Sequence, residues 1–259
     1  LFANDEEKKN KNKKTTNVEI KNGLISEFYD DGQKKSEKNF KNDKQEGQSL
    51  YWYSNGQMSA KWNFLEDLAD GKFTKWYKNG TIFSQGNFKK GDKDGVWKNW
   101  DKNGNKKSQS NFKDGVKDGI WKEWYPNAIE RSQGRYKEGK KILIWTDWHE
   151  NGNKKLEQNF INDKLDGKSI EWNENGQKKL EGSFNQFRKV GNWISWHSNG
   201  QKKTEYNYKY GELNGNAYRW DSSGQLKLEV NYENGELTNG KVIDKHPNGK
   251  KKTKGKYKY

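Results

Sequence analysis

Tryptophan recurs at Trp52, Trp76, Trp100, Trp124, Trp148, Trp172, Trp196 and Trp220, always 24 residues apart. A chain with one globular core has no reason to keep such a register through eight turns, so this one is a tandem array. The same phase carries a glycine at 32, 56, 80, 104, 152, 176, 200 and 224, usually after asparagine. It also carries an aromatic at Phe40, Phe64, Phe88, Phe112, Tyr136, Phe160, Phe184, Tyr208 and Tyr232. Function is therefore sought in rows of equivalent residues, not in a lone side chain.

One unit, Gly95 to Gly119, reads GVWKNWDKNGNKKSQSNFKDGVKDG. Asn103-Gly104 marks a tight hairpin turn, because glycine accepts the positive φ such a turn needs. The second strand alternates with period two, as in Met58, Ala60, Trp62 and Phe64. A longer turn ending at Gly95 or Gly119 is expected to lead into the next unit. Two antiparallel strands per unit give an all-β fold: an elongated single-layer antiparallel β-meander of about nine to ten 24-residue hairpin repeats, each advancing roughly 10 Å. The array is assigned to 18–259, with terminal caps, and 1–17 is expected to be a flexible basic segment.

Composition explains how such a ribbon holds together. Only 28% of the 259 residues are hydrophobic and 34% are charged, while 14% are aromatic and thirteen are tryptophan. Burial must come from aromatic rows between neighbouring repeats rather than from a thick aliphatic core. The net charge is +15, of which +7 falls in 241–259 through eight lysines against Asp244. That balance suits acidic partners and a membrane surface, and equally suits solubility and protection of a terminal sheet edge. The chain lacks cysteine, so its redox compartment is open. "LFAND" reads as the end of a secretory signal or as a trimmed terminus, so a secreted, surface or periplasmic location is favoured over the cytoplasm.

Register decides which rows share a face. A three-residue turn with a glycine bulge puts Trp100 on the face of Phe112, together with a small row containing Ser36, Ser84 and Ser108. The row Trp52 to Trp220 is then the structural spine. The opposite face is expected to carry Phe73, Trp97, Trp121, Trp145 and Trp193 beside the basic residues Lys107, Arg131 and Lys155. Acid or amide residues from Gln85 to Glu229 and an asparagine row from Asn39 to Asn231 lie alongside. Phe73, Trp97, Trp121, Trp145, Trp193, Lys107, Arg131 and Lys155 are the candidate partner-binding residues, since exposed tryptophan supplies rigid contact area.

Catalysis is not expected, and neither is a cofactor or a metal. His149 and His197 are two repeats apart, roughly 20 Å, too far to share an ion. His246 has no apparent partner. Nucleic-acid binding is disfavoured because Glu157, Glu181, Glu205 and Glu229 would repel phosphates. A polysaccharide enzyme would need two opposed carboxylates in a cleft, and a nucleic-acid or polysaccharide binder is kept as the lesser alternative. The segments "DGVWKNWDKNGNKKSQSNF", "DGIWKEWYPNAIERSQGRY" and "VGNWISWHSNGQKKTEYNY" resemble the bacterial variant of the MORN repeat, seen in YwqK-type antitoxin family proteins. The resemblance implies an elongated antiparallel sheet without catalysis, used for protein or membrane contact. Its antitoxin form implies an intracellular protein that neutralises a partner. Function is thus read as a non-catalytic repeat scaffold binding a protein or cell-surface partner, with oligomeric state open.

Departures from the repeat are local. Ala128 replaces a turn glycine after Pro126-Asn127, which is expected to need another turn type. Leu143 replaces the second glycine within "KKILIW", either by drift or to make a bend or a partner contact. Phe28 stands where a tryptophan is due, and the phase shifts by one residue toward Gly249 and Tyr257, as terminal caps do.

Overall fold

The computed structural model describes residues 22–245 and 251–258, so the expected 1–17 segment, the "LFAND" terminus, His246 and Gly249 lie outside the described residues. The described residues form one open antiparallel sheet of twenty-one strands, from β1 (Asn22–Phe28) and β2 (Lys34–Lys41) to β20 (Glu236–Lys245) and β21 (Lys251–Lys258). Each strand pairs with its neighbours in sequence. β4 (Met58–Leu65) meets a strand split into β5 (Leu68–Ala69) and β6 (Gly71–Trp76). Among the described residues β1 pairs only with β2 and β21 only with β20, so the meander they form does not close.

The Asn-Gly turns have the expected form. Between β8 (Asp92–Trp100) and β9 (Lys106–Lys113), Asp101 N donates to Asn105 O at 2.9 Å and Gly104 N to Asp101 O at 3.0 Å. Gly104 sits at φ +88°, where a side chain would be strained. The consequence drawn from that turn does not hold, because a second irregularity follows it. Trp100 pairs with Lys106 but Asn99 pairs with Ser108, leaving Lys107 as a bulge. One extra residue exchanges the faces. Trp97 therefore lies directly opposite Ser110 on the face of Phe112, and Trp100 does not share it.

At the other end of each hairpin the turn is short, not long. Lys113 pairs with Val116 across Asp114 and Gly115, whose φ values of 48° and 78° are those of a two-residue type I′ turn. The second glycine lies inside the following strand. In β10 (Val116–Trp124), Lys117 pairs with Phe112 and Trp121 with Ser110, so three residues around Gly119 oppose Asn111 alone. Two residues are gained there, and an even number leaves the faces unchanged. The asparagine row belongs to this bulge: Asn63 and Asn39 donate side-chain amides to the carbonyls of Lys72 and Gln48 at 2.8 and 3.0 Å.

Ala128 also departs from expectation. Its turn keeps the standard bonds, Tyr125 N to Ile129 O and Ala128 N to Tyr125 O, with alanine forced to φ +65°. Neighbouring contacts hold the backbone there against the preference of the residue.

Packing follows the corrected register. The face bearing Trp97 holds the core: Phe73, Trp97, Trp145, Trp193, Ala217 and Val230 are buried there with Ser36, Ser49, Ser84, Ser110 and Ser169. Among the described residues, only Ile170 is buried on the opposite face. Among the described residues no second layer covers either face, so each tryptophan is enclosed by its own neighbours in the sheet. Trp97, 3% exposed, lies between Phe73, Phe88 and Phe112, with ring centroids 5.5, 4.9 and 6.5 Å away.

Candidate interaction surface

The rows expected to form one binding face are divided between two. Phe73, Trp97, Trp145 and Trp193 are buried and Trp121 is half-buried, so this row is packed rather than presented. The row from Gln85 to Glu229 faces the other way, since Lys98 pairs with Gln109 and Ile170 with Glu181. Trp52, Trp76, Trp100, Trp124, Trp148, Trp172, Trp196 and Trp220 are all half-buried at the strand ends next to the Asn-Gly turns.

Two partners of the buried indoles went unread in the sequence. One is small. A Cβ on Gly86, Gly134 or Gly182 would stand 2.4, 2.1 or 2.2 Å from the indole of Trp97, Trp145 or Trp193. The position eleven residues before the indole must therefore be empty, and glycine supplies that space. The other partner is cationic. Lys93, Lys117, Lys141 and Lys189 place Nζ 4.3, 4.0, 4.2 and 4.4 Å from the ring centroids of Trp97, Trp121, Trp145 and Trp193. Where the indole gives way to Ser49, Ser169 or Ala217, this lysine gives way to Gln45, Leu165 or Leu213. A cation over a partly desolvated ring is worth on the order of 1–2 kcal/mol. Burial pushes the Lys93 ammonium below its ordinary value and the Tyr136 and Tyr208 phenols above theirs.

The margin at the Asn-Gly turns is built differently. Tyr53, Tyr77 and Tyr125 donate their hydroxyls to the carbonyls of Trp76, Trp100 and Trp148 at 2.7, 3.0 and 2.8 Å. His149 and His197 take the same place, with Nε2 3.1 and 3.0 Å from the carbonyls of Trp172 and Trp220. Each histidine thus stands in for a tyrosine in a hydrogen-bonded ladder that ties one repeat to the next.

The basic candidates converge on this margin rather than on the buried row. Lys107 and Arg131 line a shallow groove with Asn99, Trp100, Glu123 and Trp124. Lys155 lines the next groove with Tyr125, Arg131, Asp147 and Trp148. Arg131 forms an ion pair with Glu123, and Lys179 with Glu171 at 2.6 Å. Lys106 caps the Trp124 ring at 4.7 Å, and Lys154 caps Trp172 at 5.6 Å. The arrangement presents half-exposed indoles, charged forks and amides in series. Among the described residues no cluster of side chains has the composition of a metal site.

No curated protein matches the chain. Among solved structures, the chain aligns with one described as the crystal structure of TcdB2-TccC3 at 10% identity and a TM-score of 0.21, over 91% of this chain and 18% of that one. It aligns with a Photorhabdus luminescens Tc holotoxin pore carrying the mutation TccC3-D651A at 11% identity and a TM-score of 0.23, over 88% of this chain and 14% of that one. The chain thus spans less than a fifth of those much longer chains. The signature of the MORN repeat variant matches residues 21–42, 45–66, 69–90, 93–114, 142–162, 165–186, 189–210 and 213–234. The longest internal stretch without a match, 115–141, contains Ala128, yet its strands pair like the rest. With these segments covering more than half of its length, the chain belongs to the MORN repeat variant family.

Proposed function

We propose that the chain is a non-catalytic repeat scaffold that binds a protein or cell-surface partner along the margin where Trp100, Trp124 and Trp148 meet Lys107, Arg131 and Lys155. The observation that carries this reading is the pair of contiguous grooves there, where half-exposed indoles and basic side chains recur in one phase of the repeat. Aromatic and arginine side chains supply most of the energy in protein interfaces. A repeat array lets such contacts add along its length. The carboxylates of the margin support a binding role over a catalytic one, since Glu123 and Glu171 are each held by a basic neighbour.

The immobilised chain is to be challenged separately with cytosolic extract and with cell-surface material, and the retained component identified and titrated. Saturable binding that weakens at least about tenfold in the Trp124→Ala, Arg131→Glu, Lys155→Glu variant is expected, with the thermal transition retained. Absence of any saturable partner, or unchanged affinity in the variant, would refute the reading. In the antitoxin form the partner is intracellular and loses its own activity when bound. A steep loss of affinity with salt for single-stranded oligonucleotides would point to nucleic acid instead.

A further inference from the structure

The face opposite the buried tryptophans carries an apolar line with no folding role. Val96, Ile120 and Ile144 occupy one phase of the repeat in β8, β10 and β12 (Lys140–Trp148), and are 42%, 42% and 55% exposed. Each immediately precedes an indole pointing the other way, so all three share the open face. Equivalent positions two strands apart lie roughly 10 Å from each other. In later repeats the same phase holds Lys168, Asn192 and Asn216, so the line is confined to three units.

Leu143 adds a second, independent sign. It stands where other units have glycine, is held at φ 59°, and is 56% exposed. A leucine in that region is strained and gains nothing by burial, which is the pattern of a residue kept for contact. Its partner in the bulge has changed as well. Arg135 replaces the asparagine of other units and pairs across the sheet with Ile120 and Ile142.

Basic groups predominate beside the line, with Lys72, Lys98, Lys122 and Arg135 set against Asp94, Asp118 and Glu130. Lys98 and Lys122 follow Val96 and Ile120 in the same strands, and a shallow depression joins Val96 to Lys72 and Lys98. The neighbouring amide row is neutral here, at Gln85, Gln109 and Gln133, and becomes acidic only from Glu157 onward. Glu130 is engaged by Lys122 at 2.6 Å and Asp118 by Lys137 at 3.2 Å, which leaves Lys72, Lys98 and Arg135 to meet a partner's carboxylates.

We infer that Val96, Ile120, Leu143 and Ile144 form a docking line for an amphipathic helix with an acidic flank, on the face opposite the buried tryptophans. One heptad of helix spans about 10.5 Å, which matches the spacing of the line. Lysines at its side select carboxylates in the partner. A second copy of this chain would bring lysines against lysines, and a membrane would call for a broad patch where this line is one residue wide. The inference goes beyond the binding reading above, and neither depends on the other.

The test uses a labelled helical peptide of about three heptads, with leucine once per heptad and glutamates flanking it. A lysine-flanked version and anionic lipid vesicles serve as the other arms. Fluorescence anisotropy with the full chain should show saturable binding of the acidic peptide alone. Ile120→Asn with Ile144→Asn, the amide that other repeats carry, should weaken it roughly tenfold or more. Leu143→Gly should weaken it too while raising the thermal midpoint, a combination a merely structural role would not produce. The inference is overturned if the acidic peptide fails to bind, if the lysine-flanked peptide binds equally well, or if vesicles alone depend on Ile120 and Ile144. Partner binding at the grooves with a silent peptide would retire the docking line and leave the scaffold standing.

Discussion

Trp193 and Gly182 show how single residues hold a sheet from within its own layer. The indole lies across the glycine, donates Nε1 to Ser183 O at 3.2 Å, and carries Lys189 over its face. Gly182→Ala should therefore cost about 1–3 kcal/mol by overpacking. Trp193→Ala should cost about 3–5 kcal/mol by opening a cavity. Chemical denaturation of the single and double variants should show that Gly182→Ala costs almost nothing once Trp193 is gone. An additive double variant would mean that the two do not touch. The volume exchange was present in the sequence: Gly86, Gly134 and Gly182 stand eleven residues before Trp97, Trp145 and Trp193, whereas Gln158 and Tyr206 precede Ser169 and Ala217. So was the lysine four residues before each indole. The glycine pattern had no physical meaning while Trp97 was placed on the face opposite Phe112 and its row.

Elements were legible in outline and mistaken in one step. The 24-residue period located the hairpins, and the Asn-Gly pairs located their turns with the right bonds. The bulge at Lys107 was not legible, because a bulge inserts a residue without a compositional mark. Its one-residue offset moved Trp97 from the expected binding face into the core and left Trp100 at the half-exposed margin. At the turns themselves, geometry and residue type disagree in several places, most sharply at two. Ala128 is at φ 65° and Phe187 at φ 67°, each where other units have glycine or a small polar residue. Ala128→Gly and Phe187→Gly should each stabilise the fold by roughly 1 kcal/mol through relief of that strain, offset in part by chain entropy. A lower thermal midpoint in either variant would show that the side chain contributes contacts that outweigh its strain.

At the scale of the whole molecule, stability is a sum over neighbouring repeats, so charge effects add along the sheet. Lys168 and Lys178 hold the Glu181 carboxyl below its ordinary value, and Lys38 and Ser36 do the same for Glu27. The backbone N–H of Glu138 and the Lys137 ammonium lower Asp118, and Ser223 with Lys227 lowers Asp221. Each group binds its proton more weakly in the folded chain than in the unfolded one. Their contribution is fully present above the unfolded value of about 4.3 for glutamate and 3.9 for aspartate, and is lost as pH falls through the folded values. The thermal midpoint should be level near neutrality and fall below about pH 4.5. A midpoint that rises on acidification would mean that these pairs do not form.

The division of the tryptophans, Trp62 apart, between a packed row and a half-exposed margin is open to direct measurement by hydroxyl-radical footprinting with mass spectrometry. Trp97, Trp145 and Trp193 should be protected, while Trp100, Trp124, Trp148, Trp172, Trp196 and Trp220 oxidise readily. The reverse pattern, with Trp97, Trp145 and Trp193 reactive and the 24-residue row protected, would contradict the bulged register and return the binding face to the other side of the sheet.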